Sequence, residues 1–494
     1  MPVDQGQTAT PSPLDPGVES RPGLLRALGP GMALAMVVGN VIGSGIFLKP
    51  GAIALDAGQF SLIMTAWVLG GVLCFLGALC FAELAVMLPR AGGIYVYLRE
   101  AYGRPVAFLF GWSEFLFGRP AAIGALAVAF IDALGRTTGW EFETLTSVLL
   151  AIAVIAAMTW VNVIGVIWGG RVQAATTLVK AGFLAVLALL PILLLQYSPT
   201  AFDPANFSTT VEPKETTLAT RFAAAMLAVM WAYNGWHAIT PVAEEVRQPR
   251  RNIPLALFGG IGLLMVLYVA ANVAYHSVLT MSEMAQAGTA AAQSMVEKLL
   301  TPLGGDLAQT GVAAMSAVVM CSTFGAINSN LLNGPRVSFA MGRDDVFVRQ
   351  LGRVHVNYRT PAIAICVQAV MAALLVIASG ILVARFPMFQ ERSVFDILTD
   401  YVIFSASIFY VLAVMAVIVL RWKHPEWERP YRTLGYPIIP LTYIAFYTWF
   451  LYYVYVGKPF EARVGLCLIA LGIPVYFAWR KWAARHPDVM HDGQ

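Results

Sequence analysis

Long apolar segments alternate with short polar ones over almost the whole chain. An α-helix needs about 20 apolar residues to cross the hydrocarbon core of a bilayer. Segments of that length predict twelve spans, at approximately 28–53, 60–88, 105–135, 145–167, 174–196, 219–243, 254–278, 310–340, 361–384, 394–420, 435–456 and 462–480. The pattern therefore predicts an all-α membrane protein with twelve transmembrane helices.

Composition agrees with a multi-pass membrane protein, because 58% of the 494 residues are hydrophobic and only 12% are charged. The net charge of +4 is small, and the basic residues lie in short loops, so no nucleic-acid partner is expected. All five cysteines lie in or beside apolar segments, which argues against a disulfide framework.

Loop charge predicts the orientation. Most Lys and Arg residues fall in alternate loops and in both tails, and such loops face the cytoplasm. We therefore expect a multi-pass protein of the plasma (inner) membrane with both termini cytoplasmic. Residues 1–27 predict a disordered cytoplasmic tail without a secretory signal, and 481–494 a second cytoplasmic tail.

The first span is broken by glycines, since residues 39–47 read GNVIGSGIF. Non-helical backbone at membrane depth is tolerated where it lines a protein cavity. A packing role for the glycines is the alternative reading. The break predicts a set of substrate-binding residues, namely Val41, Ile42, Gly43, Ser44 and Gly45.

A second break lies five spans later, in the sixth span at 231–237. Because five is odd, spans 1–5 and 6–10 have opposite orientations, as in inverted-repeat transporters. The predicted units are 28–196 (first repeat), 219–420 (second repeat) and 435–480 (two final helices). Broken helices offer free amides to a carboxylate and free carbonyls to an ammonium, and an α-amino acid carries both groups.

Several polar or aromatic residues within the spans are candidates for function. Lys180 lies near the middle of span 5, where a lysine needs partners such as helix-end carbonyls; a side chain that reaches the interface is the alternative. Trp231 adjoins the second break as a gate, whereas packing is favoured for Tyr233. His237 lies near the same pocket, although a core histidine explains it better. For Glu114 and Arg119 in span 3, a structural ion pair is favoured.

No phosphate-binding loop, metal-ligand spacing or nucleophile elbow occurs in the sequence. An enzyme is therefore not supported, and neither a cofactor nor a bound metal is expected.

Ordered motifs resemble the L-type amino acid transporter branch of the amino acid–polyamine–organocation superfamily. The motifs are 39–47, 77–84 with 92–95, 171–173 leading to Lys180, 232–236 with Glu244 and Glu245, 324–328, and 424–430. They extend through nearly the whole chain after the first tail.

The resemblance implies a LeuT-type 5+5 inverted repeat with two additional C-terminal helices, and sodium-independent transport of amino acids. It also implies that the amides of Ser44 and Gly45 hold the substrate carboxylate. The carbonyls of Val41, Trp231 and Asn234 would hold the ammonium. Lys180 would occupy the place of a sodium ion in sodium-coupled relatives.

The chain departs from this family at three places. Trp231 replaces a gate residue that is often Phe, and Asn234 replaces a Gly. The loop 136–143 lacks the cysteine by which animal members bind a heavy chain. No disulfide-linked heavy chain is therefore expected, and a free-standing prokaryotic transporter is inferred.

The leading hypothesis is a sodium-independent exchanger of neutral L-amino acids that works by alternating access, with the bilayer and its substrate as partners. One rival is a proton-coupled symporter in which Lys180 loses and regains a proton in each cycle. A remote rival is a non-transporting amino acid sensor.

Overall fold

A computed structural model describes residues 24–213, 217–385 and 394–485, and their regular structure is helical. Of the two predicted tails, residues 1–23 and 486–494 lie outside the described residues.

The first half of the chain contains nine α-helices among its described residues. They are α1 (Pro30–Val41), α2 (Gly45–Leu48), α3 (Pro50–Ala57), α4 (Phe60–Met87), α5 (Ile94–Tyr102), α6 (Arg104–Ser113), α7 (Arg119–Thr138), α8 (Thr144–Val163) and α9 (Val166–Leu193). A π-helical turn, Glu114–Gly118, joins α6 to α7.

The described residues of the second half form ten more. They are α10 (Leu218–Tyr233), α11 (Pro249–Val278), α12 (Met281–Ala287), α13 (Ala291–Leu300), α14 (Gly305–Asn333), α15 (Pro335–Arg343), α16 (Ala362–Arg385), α17 (Val394–Lys423), α18 (Ile438–Gly457) and α19 (Pro459–Arg485).

Eleven helical segments of the described chain are long and apolar enough to cross a membrane, so the protein is a multi-pass membrane protein. The predicted span that is not among them is the sixth, 219–243, because its helix α10 has only 16 residues. It is short because it ends at Tyr233 and turns follow through residue 242. The count of twelve is therefore not confirmed by helix length, although the break that shortens α10 lies where the sequence predicted it.

Three helices lie in segments for which the sequence predicted loops, namely α5, α12 and α13. At the start of α12, Thr280 and Glu283 form a capping box, in which each side chain binds the other residue's backbone N–H. Lys298 of α13 donates to both carboxylate oxygens of Glu283, at 2.8 and 2.7 Å. These contacts fasten α13 to α12.

The broken helix α1 lies inside the bundle and contacts α9, α11 and α14, whereas α10 contacts α3, α4, α17 and α18. Helix α14 also packs along α7. Small residues allow this close packing, and a Cβ at Gly260 of α11 would lie 2.8 Å from Cγ1 of Val37. The packing brings the broken ends of α1 and α10 together in the middle of the bundle.

Both ends of the described chain lie on one face of the bundle, which we call the terminal face. Near the first end, the Leu28 N–H donates to the Glu245 carbonyl at 3.0 Å. Near the other end, the rings of Trp479 and Phe347 are 6.0 Å apart. This contact belongs to a helix that continues to Arg485, so α19 extends beyond residue 480, where the sequence predicted its end.

Candidate functional site

The first break separates α1, which ends at Val41, from α2, which begins at Gly45. The first amides of a helix have no intrahelical acceptor. The N–H groups of Ser44, Gly45 and Ile46 accordingly donate to no acceptor in the described part of the chain. The break therefore presents free amide donors.

Close contact with the second break requires the glycine at position 45. A Cβ on Gly45 would lie 2.6 Å from the Cβ of Ala232 in α10. The glycines therefore have two effects. They interrupt the helix, which exposes amides, and they let the two broken helices touch at this point.

The second break begins at Asn234, whose N–H donates to the Trp231 carbonyl at 3.0 Å. Gly235 follows with a φ of 90°, in the left-handed region that favours glycine. A Cβ there would also collide with the side-chain amide of Asn40. The two breaks therefore interlock.

A cavity of about 30 Å³ lies between the two breaks, which is room for about two water molecules. Its lining residues are Asn40, Val41, Gly43, Ser44, Gly45, Arg119, Ala122, Leu126, Trp231, Asn234, Ala326 and Asn330. Six predicted site residues thus meet at one cavity, which α7 and α14 complete.

Trp231 joins the two sides of the cavity, since its indole N–H donates to the Ser44 hydroxyl at 3.3 Å. Its side chain is almost completely buried. The Trp231 ring is therefore one of the groups that would have to move for a substrate larger than the cavity to enter.

Val41 lines the cavity, but its carbonyl already has two donors. It accepts from the Gly43 N–H at 2.7 Å and from the Tyr268 hydroxyl at 2.8 Å. A carbonyl oxygen has two lone pairs, so an ammonium must displace one of these donors to bind Val41.

Ile42 does not line the cavity, although the sequence predicted it there. It is fully buried, and its carbonyl lies 3.2 Å from the Ser322 hydroxyl of α14. The same hydroxyl donates to the Gly43 carbonyl at 2.8 Å. These bonds satisfy backbone groups that the break would otherwise leave bare in the bundle.

Lys180 of α9 is fully buried and lies behind the first break, outside the cavity lining. Its ammonium donates to the Gly39 carbonyl at 2.6 Å and to the Ser322 carbonyl at 3.4 Å. Gly39 belongs to the last turn of α1, where carbonyls lack intrahelical donors. The lysine thus has the helix-end partner that its depth required.

Arg119 pairs with Glu114 at 2.5 Å, as the sequence analysis favoured. The π-helical turn explains the unusual spacing, because its i to i+5 hydrogen bonds place residues five apart on one side. Arg119 also lines the cavity and donates to the Asn330 side-chain oxygen at 3.1 Å. The structure therefore adds a cation to the cavity wall.

Neither Tyr233 nor His237 is among the residues that line this cavity, so their possible place in the pocket stays a prediction. The Tyr233 hydroxyl donates to the Trp67 carbonyl at 3.2 Å, on the side of α4. The His237 ring packs against the ring of Tyr410, with centroids 5.0 Å apart. Residues that are close in sequence can point in different directions. A position near Trp231 in the sequence therefore does not place Tyr233 or His237 at the cavity.

The sequence did not single out Asn40 or Asn330 as lining residues. It named Arg119, but only as a partner of Glu114 and not as part of the cavity wall. Their signal was present, because polar side chains within apolar spans mark functional or interhelical contacts. It was ambiguous, since other polar residues of the spans, such as Asn162 and Asn328, bind each other instead.

A buried ion pair lies on the side of the bundle toward the terminal face. Both carboxylate oxygens of Glu245 accept from the Arg336 guanidinium, at 2.9 and 3.2 Å, and neither side chain is exposed. The neighbouring Glu244 pairs with the half-exposed Arg343. Both arginine partners come from α15, and not from the arginines that follow the two glutamates in the sequence.

Comparison with known proteins yields one consistent result. The model of the amino acid permease family matches residues 28–465. The chain is 32% identical to the serine/threonine exchanger SteT of Bacillus subtilis (strain 168), covering 93% of this chain and 98% of that protein. It is 33% identical to the mouse large neutral amino acids transporter small subunit 2 (93% and 82%) and 29% identical to the human Asc-type amino acid transporter 1 (96% and 86%).

Proposed function

The chain belongs to the amino acid permease family, and on this premise we propose that it is a sodium-independent exchanger of neutral L-amino acids that works by alternating access. It is proposed to act as a carrier and not as an enzyme. The observation that carries the proposal is the cavity between the two breaks, where free amides of one broken helix face the backbone of the other.

The proposed binding mode uses backbone groups for the part that all amino acids share. The free N–H groups of Ser44 and Gly45 hold the carboxylate, at the positive end of a half-helix. The carbonyls of Trp231 and Asn234 hold the ammonium, and Val41 joins them when Gly43 or Tyr268 releases its carbonyl. Trp231 then acts as the gate over the bound molecule.

Lys180 is proposed to replace a bound cation as the group that links this site to gating. Its ammonium contacts a carbonyl of α1 and a carbonyl of α14. Movement of one helix away from the other would therefore break one of these contacts. An ammonium that bonds both helices can take the place of a bound sodium ion, so exchange without sodium is proposed ahead of a cycle in which Lys180 gives up its proton.

Neutral substrates are proposed because no described residue that lines the cavity is acidic, whereas Arg119 lines it. A cationic side chain would find no carboxylate in the lining, and Glu114 is already paired with Arg119, so burying the added charge in a desolvated site costs free energy. The names of the relatives, which include a serine/threonine exchanger and a large neutral amino acids transporter, support the same class.

The terminal face is proposed to be cytoplasmic, because most loop Lys and Arg residues lie there; the protein would then lie in the plasma (inner) membrane. The connection between α7 and α8 contains no cysteine. A free-standing carrier without a disulfide-linked heavy chain is therefore proposed.

Counterflow in proteoliposomes tests the function. Vesicles are loaded with alanine or left empty, and uptake of labelled alanine is measured with and without sodium and a proton gradient. We expect uptake only into loaded vesicles, independent of either gradient. Gradient-driven uptake into empty vesicles would support the proton-coupled rival, and binding without any uptake would support the sensor.

A further inference from the structure

The side chain of Asn234 accepts a hydrogen bond from Tyr410 of α17. The Tyr410 hydroxyl donates to Oδ1 of Asn234 at 2.9 Å. Asn234 lines the cavity, whereas Tyr410 does not. The hydrogen bond therefore connects a residue outside the site to a residue within it.

Packing fixes the position of the Tyr410 hydroxyl. Tyr410 is only 5% exposed, and the rings of His237 and Trp236 pack against its ring with centroids 5.0 and 6.0 Å away. A side chain held by neighbouring rings keeps one rotamer. The hydroxyl thus has little freedom to follow Asn234 if the amide turns.

A side-chain amide has an accepting end and a donating end. Because Tyr410 engages the oxygen of Asn234, the amide nitrogen is the end left for other partners. It donates to no acceptor within the described residues. Because the residue lines the cavity and is only partly buried, this nitrogen is the side-chain group left to meet a bound molecule.

We propose that Tyr410 is a positioning residue that holds the Asn234 amide so that its NH₂ group donates to an acceptor on the substrate side chain. The class selected is small neutral amino acids with a hydroxyl or amide oxygen. This inference rests on the proposed function and adds a determinant of side-chain selectivity. A purely apolar side chain of similar size leaves the donor unpaired, which lowers its relative affinity.

Serine and alanine form the test pair, because they differ by one hydroxyl. Exchange rates of wild type and Tyr410→Phe are measured in proteoliposomes over a range of each substrate. Wild type is expected to have a KM for serine roughly tenfold below its KM for alanine, since one hydrogen bond to a buried donor separates them. In Tyr410→Phe the ratio moves toward one, through the KM for serine and with little change in kcat.

Tyr102→Phe is the matched control. The Tyr102 hydroxyl also bonds α17, at the Leu412 carbonyl (2.9 Å), but from α5 and away from the cavity. It should loosen α17 to a similar degree and leave the serine-to-alanine ratio unchanged. Equal changes in both tyrosine variants would assign the Tyr410 effect to general stability and overturn the inference.

Two further variants isolate Asn234. In an Asn234→Gly background, Tyr410→Phe should have no additional effect on the ratio, and a persisting effect would overturn the positioning role. Asn234→Leu keeps a similar side-chain size and removes the amide, so serine preference should be lost even if Tyr410→Phe does not fold. If wild type exchanges both substrates without preference, only this inference falls; if it exchanges neither, the proposed function falls and takes the inference with it.

Discussion

The ammonium of Lys180 lies 2.6 Å from the carbonyl oxygen of Gly39, in the last turn of the broken helix α1. The contact joins two residues that are 141 positions apart in sequence, one in α9 and one in α1. It neutralises a carbonyl at the negative end of a half-helix, at a depth where water is scarce.

Replacing Lys180 with Met should abolish most transport, because Met keeps the length of the side chain but leaves the Gly39 carbonyl without its donor. An unsatisfied buried acceptor costs about 1–3 kcal/mol, so we expect exchange to fall by about 5- to 140-fold. Lys423→Met is the control, since Lys423 also donates to a carbonyl, that of Ala101, at 2.8 Å but on the terminal face. Counterflow rates of the two variants compare them, and equal losses would contradict a special role for Lys180.

Gly45→Ala should block the site, because the new methyl group would lie 2.6 Å from the Ala232 Cβ and force the two breaks apart. Overpacking of this kind costs about 1–3 kcal/mol. Gly262→Ala in α11 should be neutral or slightly stabilising, since nothing lies within 4 Å of its added Cβ. Melting temperature in detergent and binding of alanine measure both effects, and normal binding by Gly45→Ala would show that the breaks need not touch.

Removal of Arg119 alone should destabilise the protein, and removal of Glu114 as well should restore most of the lost stability. Arg119→Met leaves a buried carboxylate unpaired, which should cost about 3–5 kcal/mol. The double variant with Glu114→Met should recover most of that loss, because two apolar groups replace both charges. In Arg119→Met, which lacks the cation of the cavity wall, free lysine should also begin to compete with alanine for uptake. Thermal melts and competition assays check the two parts separately.

Arg336→Met should open the bundle toward the terminal face, because it leaves the fully buried Glu245 without its partner. We expect a destabilisation of about 3–5 kcal/mol, read as a lower melting temperature and faster proteolysis. Arg343→Met serves as the control, since its pair with Glu244 is half exposed and worth about 0–1 kcal/mol. Similar melts for both variants would contradict a closing role for the buried pair.

The contact between α12 and α13 should depend on pH. Partial burial raises the pKa of Glu283, but the hydrogen bonds from Lys298 and Thr280 outweigh it and hold this pKa below its usual value. A carboxylate with a lowered pKa stabilises the folded state at neutral pH, and that contribution is lost as the pH falls below about 4.3. Glu283→Gln should therefore lower the melting temperature at pH 7 and have a smaller effect at pH 3. An equal effect at both values would contradict the ionic origin.

Both breaks could be predicted from sequence because their signal is local. Glycines and polar residues within an otherwise apolar span interrupt the helix wherever the span packs. The same holds for Lys180, since a charge at membrane depth demands a partner. The inverted-repeat organisation stays a prediction, as do the roles of the site residues in binding and gating.

The lining of the cavity could not be predicted in the same way. Trp231 and Tyr233 are two residues apart, yet Trp231 bonds Ser44 across the cavity and Tyr233 bonds Trp67 behind it. Side-chain direction at the end of a helix depends on where that helix stops and what packs against it. Those contacts involve residues far away in sequence.

The sequence by itself determined the class of protein, its apolar spans and the two places where helices break, because each follows from the cost of exposing polar backbone or charge to hydrocarbon. Only the tertiary structure decided which polar groups face the cavity. Arg119 reaches it through a π-helical turn, the partner of Glu245 comes from α15, and Tyr410 holds Asn234 from α17. Such pairings depend on helix packing between distant segments, which no local pattern of residues encodes.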